Sequence, residues 1–324
     1  KGAYIWVSRW KKYIDLTMNG VGCSVLGYAP NQVINSVKKV ADLCNLTTIN
    51  SYEEVELAEL LVSLHPWAEM ARFSRTGGEM ASIAIRIARS SSGRNRVLVY
   101  GYHGWSDWYL AASIKDKNAL DSFLLPEIPS KGIPDELGSY TTALKSLTLD
   151  SVAQECSNDE LPGVLIIEIG RKELANINEL QSIMDYCKKK SILVIFDEIT
   201  SGFRECLGGM HLKYNVKPDA VLYGKTISSG FPFSALVGTS SFFSGFSKTF
   251  ISSVYWTDRT GPAAALATLK HMKRLEKSLF NHLYYVGNMF KDSLIGICSD
   301  YDITVSASEV PSLLSFDFPE YKDS

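Results

Sequence analysis

A lysine and an aspartate, each placed where an apolar strand is expected to end, are the residues of this sequence best suited to covalent and proton chemistry. Residues 220–223 run into Gly224-Lys225. An amine in such an apolar setting has a depressed pKa and becomes a nucleophile. Residues 192–196 end in Asp197-Glu198, and a carboxylate there is costly to bury without a cationic partner. The plainer alternatives are a lysine on an exposed turn, and an acid acting as a helix cap or in a structural ion pair.

Two further segments have the makings of a ligand cradle. Arg75-Thr76-Gly77-Gly78-Glu79 precedes a helix whose Ile83, Ala84, Ile87 and Ala88 form an apolar stripe. Paired glycines at a helix start expose backbone N–H groups and let a phosphate approach the positive end of the helix dipole. A strand-to-helix turn with no ligand would show the same pair. In Gly101-Tyr102-His103-Gly104-Trp105 the glycines allow a tight turn that sets a flat side chain at a sheet edge, where it can stack on a heteroaromatic ring or pack the core. For Trp105 and Trp108, core packing is the expectation.

These segments must be positioned by regular elements. The pattern predicts a hairpin over 4–17 and helices over 31–43 and 52–64. In the second helix Val55, Leu57, Ala58, Leu61, Val62 and Leu64 oppose Glu53, Glu54, Glu56 and Glu59. From residue 71 onward, strands at 71–74, 96–100, 164–169, 192–196 and 220–223 alternate with helices at 79–89 and 179–189. Such alternation predicts an α/β fold with a mainly parallel sheet sandwiched by helices. Ligands then sit at the carboxyl ends of the strands, where Asp197 and Lys225 fall. Residues 114–140, with three prolines and little periodicity, read as a lid or gate. Residues 261–297 return to helix.

Composition bounds the partners. The 324 residues carry 33 Lys and Arg against 35 Asp and Glu, a net charge of −2, so nothing favours binding to nucleic acid or to an anionic membrane. The longest apolar runs are far shorter than the roughly 20 residues that span a bilayer. The six cysteines form no Cys-x-x-Cys pair and read as reduced thiols of a cytoplasmic protein; no metal site is expected. The chain opens at Lys1 inside an expected strand, and 311–318 reads as a strand entering a new unit, so a fragment lacking residues at both ends is expected.

Taken together, the segments resemble the class III pyridoxal 5′-phosphate (PLP) aminotransferases of fold type I, above all the branch around glutamate-1-semialdehyde 2,1-aminomutase. The likeness runs from about Gly2 to Pro262. Ala3-Tyr4-Ile5-Trp6 with Tyr13-Ile14-Asp15 resembles the family's opening hairpin. Thr76-Gly77-Gly78-Glu79, Ala84-Ile85-Arg86-Ile87-Ala88-Arg89 and Gly93-Arg94 resemble its helix start, helix and exit. Tyr102-His103-Gly104 matches its Tyr-His-Gly segment. Asp197-Glu198-Ile199 with Gly202-Phe203-Arg204 matches Asp-Glu-Val and Gly-Phe-Arg, and Pro218-Asp219 with Gly224-Lys225 matches the cofactor-lysine strand.

The resemblance implies that Lys225 carries PLP as a Schiff base and then moves the proton, and that Asp197 binds the pyridine nitrogen. It implies that Gly77 and Gly78, with Thr76, hold the phosphate, that Tyr102 and Ile199 face the two sides of the ring, and that His103 and Glu168 complete the cofactor site. Thr257, before Gly261-Pro262, would reach the phosphate from the neighbouring subunit of a homodimer. The implied layout is a small-domain segment at 1–50, a large PLP-binding domain at 51–276 and the start of a C-terminal small domain at 277–324.

Departures concern substrate: Thr76 and Gly78 replace Ser and Thr, Glu168-Ile169-Gly170 lacks a proline, and Ser228-Ser229-Gly230-Phe231-Pro232 replaces a glycine-rich run. The expected function is an aminotransferase acting on a small amino or keto compound, with the aminomutase as the alternative. From another class comes a PLP-fold scaffold without catalysis, which would need neither Lys225 nor Asp197. A nicotinamide-dependent dehydrogenase is disfavoured, since no Gly-x-Gly-x-x-Gly follows an early strand.

Overall fold

The computed structural model describes residues 1–123, 125–157, 160–171 and 176–319. The N-terminal hairpin pairs β1 (Tyr4–Trp6) with β2 (Lys12–Ile14). Two helices follow, α1 (Asn31–Leu43) and α2 (Tyr52–Leu64). Ser51 Oγ accepts the Glu54 amide at 3.2 Å, and Glu53 and Glu54 stand at the positive end of the α2 dipole.

The body is a seven-stranded sheet: β3 (Met70–Ser74), β4 (Val97–Tyr100), β5 (Thr141–Ala143), β6 (Val164–Glu168), β7 (Leu193–Asp197), β8 (Ala220–Tyr223) and β9 (Ser234–Gly238). Its order is β3-β9-β8-β7-β6-β4-β5, and β9 alone runs against its neighbours. The mainly parallel sheet expected from the alternation is therefore present, covered by helices on both faces.

The two-residue period of the strands sorts their side chains between two cores. Leu165, Ile167, Val194, Phe196, Val221 and Tyr223 join one, against Leu57 and Leu61 of α2 and Leu269 of the helix Thr260–Asp300. Val164, Ile166, Ile195, Ala220 and Leu222 join the other, against Met80, Ala84 and Ile87 of α3 (Gly77–Ser92). Each fully buried Leu or Ile contributes about 1.5–3 kcal/mol of transfer free energy, so both faces of the central strands are stabilised by burial. A sheet buried on both sides explains why these strands read as continuous apolar runs.

Some expectations shift. Residues 311–318 are not one strand: a 3-10 turn at Pro311–Leu313 precedes β11 (Phe316–Asp317), which pairs with β10 (Ser306–Ala307). Pro311 lacks the amide that a ladder needs. The C-terminal helix is not continuous, because Glu276 adopts φ 32° within it. Among the described residues no helix is long and apolar enough to cross a membrane.

Candidate active site

The carboxyl ends of β3, β4, β7 and β8 converge on one cavity of about 360 Å³. Its wall includes Thr76, Gly77, Gly78, Tyr102, His103, Asp197, Ile199 and Lys225, eight of the ten residues singled out from the sequence. Glu168 stands directly behind this wall. Thr257 does not contribute to it; its hydroxyl donates to the Thr47 carbonyl of the same chain.

The α3 end is built by local chemistry. Thr76 caps the helix, its Oγ1 accepting the Glu79 amide at 3.2 Å, and Glu79 Oε2 takes the Arg75 amide at 2.8 Å. The Thr76 carbonyl accepts the Met80 amide at 2.9 Å. That leaves the amides of Gly77 and Gly78, the first of the helix, at the cavity wall with the positive dipole end behind them. At Gly77 a Cβ would come within 2.8 Å of Ile199 Cδ1, so a larger residue there would have to displace the end of the Ile199 side chain. At Gly78 a Cβ would meet open space.

Asp197 ends β7 almost wholly buried, Oδ2 lying 2.8 Å from His103 Nδ1 and Oδ1 accepting the Ile199 amide at 3.1 Å. His103 is held by the rings of Tyr109 and Trp108. Its Nε2 is buried with no hydrogen-bond partner among the described residues.

Lys225 follows Gly224 in a left-handed conformation, φ 44°, which is strained for a residue with a side chain. Nζ donates to Thr200 Oγ1 at 2.9 Å. Burial pushes the Lys225 pKa down, with Arg171 and Arg204 adding to the effect and Glu168 and Asp197 opposing it. The sequence expectation of a buried amine with a lowered pKa describes this group.

Glu168 ties these parts together: Oε2 accepts the Tyr102 amide at 3.0 Å and Oε1 the Thr200 hydroxyl at 3.1 Å, with Arg171 Nη1 3.3 Å from Oε1. The Arg171 guanidinium lies 5.5 Å from the Tyr102 ring centroid. Thr200 and Arg171 were not singled out from the sequence. Thr200 stands three residues after Asp197, a place that the Asp-Glu-Ile pattern already put beside the site. Trp105 corrects an expectation: it does not pack the core but is 77% exposed at the cavity rim. Trp108 is partly buried and its indole N–H donates to Ser82 Oγ at 3.1 Å. Residues 114–140 do not line this cavity among the described residues.

The donor set suits a flat, phosphorylated, aldehyde-bearing heterocycle. One end of the cavity offers helix-start amides, another a buried carboxylate, a third an amine, and Tyr102 and Ile199 supply apolar walls. PLP has matching groups.

Comparison with known proteins agrees. The model of the family "Aminotransferase class-III" matches residues 1–323. The 2′-deamino-2′-hydroxyneamine transaminase of Streptomyces kanamyceticus is 31% identical over 309 residues, 94% of this chain and 73% of that protein. The glutamate-1-semialdehyde 2,1-aminomutase of Nitrosopumilus maritimus is 29% identical over 317 residues, 93% of this chain and 72% of that protein. Among solved structures, the FumI protein of Sphingopyxis sp. MTA144, in its PLP internal aldimine form, superposes with a TM-score of 0.87. It is 22% identical, over 98% of this chain and 74% of that one. A transaminase solved with PLP bound gives 0.85 at 20% identity, over 98% and 75%. With cavity, fold and sequence in agreement, this chain belongs to the class III aminotransferase family and is a PLP-dependent enzyme of fold type I.

Proposed function

We propose that the protein is an aminotransferase that moves an amino group on a small amino or keto compound, with Lys225 as the residue that anchors PLP and then carries the proton. The observation behind this reading is the convergence of the Lys225 amine, the Asp197 carboxylate and the Gly77-Gly78 helix start on one cavity. When bound, PLP supplies an electron sink for the charge left on a substrate carbon that loses a proton.

The chain's own residues do the rest. Gly77 and Gly78 present amides to the phosphate, with Thr76 beside them. The Asp197 carboxylate, fixed by His103 and the Ile199 amide, keeps a proton on the pyridine nitrogen. Tyr102 and Ile199 hold the two faces of the ring. Lys225 Nζ, neutral more readily because it is buried, accepts a proton from the substrate carbon and returns it; Thr200 holds the amine in place and Glu168 holds Thr200. We infer a homodimer as the working unit, in which Thr257 approaches the phosphate of the second copy. Support comes from exposed apolar side chains, Trp6, Trp10 and Leu16 in the N-terminal segment and Phe250 elsewhere in the chain, all open to solvent.

The aminomutase reading is favoured by one observation, the relatives named glutamate-1-semialdehyde 2,1-aminomutase. Leaving out an external amino acceptor separates the two, since an aminomutase turns over without one. The cofactor roles are tested by absorbance with added PLP. A visible band that borohydride fixes covalently in the native protein, and that Lys225→Ala lacks, is expected. No band in the native protein would overturn the reading.

A further inference from the structure

Lys225 and Thr200 face a second cavity as well, of about 560 Å³, on the side away from the α3 start. It runs between residues 17–25, the C-terminal turn near Pro311 and the segment carrying Arg204. Its charged lining consists of Arg171, Arg204 and Lys225, with no Asp or Glu among the described residues that line it.

Arg204 is the unusual member. It is only 5% exposed; Nε donates to the Thr200 carbonyl at 2.6 Å and Nη2 donates to the Gly22 carbonyl. The fit is close, for a Cβ on Gly22 would come within 2.6 Å of Nη2. Two arginines are this deeply buried among the described residues. The other, Arg96, has its counter-ion in Glu155 at 2.9 Å. Arg171, at the same cavity, is matched by Glu168. Arg204 forms no ion pair among the described residues. Burial pushes its pKa down to about 10, opposed only by the neighbouring Cys23 thiol, so it stays cationic at neutral pH.

A buried cation with carbonyl partners alone is costly to keep, and a carboxylate matches the fork of a guanidinium in charge and shape. We propose that Arg204 binds a carboxylate of the substrate, so that the enzyme acts on amino acids in preference to amines that lack one. This deepens the aminotransferase reading and rests on Lys225 as the reactive amine. The substrate then lies with its amino group at Lys225 and its carboxylate in the second cavity.

The test uses the PLP-loaded enzyme and three donor pairs: alanine, β-alanine and 4-aminobutyrate, each against the amine that lacks its carboxylate. Bleaching of the cofactor band reports the amino-donating half-reaction. The native enzyme is expected to prefer at least one amino acid over its counterpart. In Arg204→Gln that preference ratio should fall about 100-fold, chiefly through KM, with partial recovery in Arg204→Lys, which keeps charge without the fork. A native enzyme that prefers none of the three amino acids overturns the proposal, as does a preference that survives in Arg204→Gln. If the variants do not fold, the native series decides, together with inhibition by butyrate and not by butyramide; equal inhibition, or none, overturns it. Absence of the PLP band in the native protein would be a failure of the cofactor reading itself and is seen before any donor is added.

Discussion

Asp197 and Glu198 are neighbours in sequence, and each meets a histidine through Nδ1, yet they end in opposite kinds of site. Asp197 Oδ2 lies 2.8 Å from His103, and Glu198 Oε1 lies 2.6 Å from His211. Because side chains alternate at the end of a strand, one carboxylate reaches the cavity and the other the core between β7, β8 and α2. Both Glu198 carboxylate oxygens and both His211 ring nitrogens are paired. The Met210 and His211 amides donate to Glu198, and Trp67 Nε1 donates to His211 Nε2 at 3.1 Å, which places the His211 proton on Nδ1 toward Glu198. Next to it, His65 bonds Leu61 O at 2.6 Å and the Tyr223 hydroxyl at 2.7 Å. Around Asp197, His103 Nε2 has no partner among the described residues and the carboxylate fronts open space. The same pair of residue types makes structure where it is fully satisfied and a ligand site where it is not.

This contrast can be broken by substitution. The largest effect is expected at Asp197. Asp197→Ala should keep the fold and the borohydride-fixable band but lose turnover on the order of 10²–10⁴-fold, measured in steady-state assays. Near-native turnover would remove Asp197 from the chemistry. Glu198→Ala should do the opposite, lowering unfolding free energy by about 3–5 kcal/mol in denaturant titrations because it strands His211 and two buried amides. Turnover per folded molecule should hold.

Acid sharpens the comparison further. Burial holds the His65 pKa down to about 4, against 6.5 for a free imidazole, so between those values the unfolded chain binds the proton and the fold does not. Stability should therefore fall as pH drops from 6.5 toward 4, by on the order of 3 kcal/mol from this group. His65→Gln should flatten that part of the profile; an unchanged slope would mean the histidine is not buried neutral. The smallest effect is expected from Trp67→Phe, about 1 kcal/mol from the lost hydrogen bond to His211. Its absorbance with PLP should match the native protein, and a changed band would show that the two pairs are not separate.

Much of the site was legible because the chemistry sits at strand ends. Apolar runs of β-formers announce β6, β7 and β8, and whatever polar residue follows such a run is placed at the sheet edge; Asp197 and Lys225 were found this way. The capping threonine and paired glycines located the α3 start by the same local logic. Trp105 was misjudged because aromatic residues usually pack inward, and only the left-handed turn at Gly104, φ 97°, turns this one out. Arg171 carries no local signal, since an arginine in a loop is an ordinary residue until Glu168 pairs with it, whereas Thr200 is marked only by its nearness to Asp197 in the chain.

The sequence by itself determined the family, five of the seven sheet strands and the helices between them that it named, the cofactor lysine candidate and the carboxylate candidate, because periodicity, capping and strand-end polarity are encoded over short stretches; the strands Thr141–Ala143 and Ser234–Gly238 were not read from it. Only the tertiary structure decided that Glu168 links Tyr102 to Thr200 and Lys225, that Asp197 and Glu198 face different surroundings, and that Arg204 is buried beside the amine with no counter-ion among the described residues. Those are relations between residues up to about 180 positions apart in the chain, such as Gly22 and Arg204, and a charge's partners are settled by what folding brings next to it.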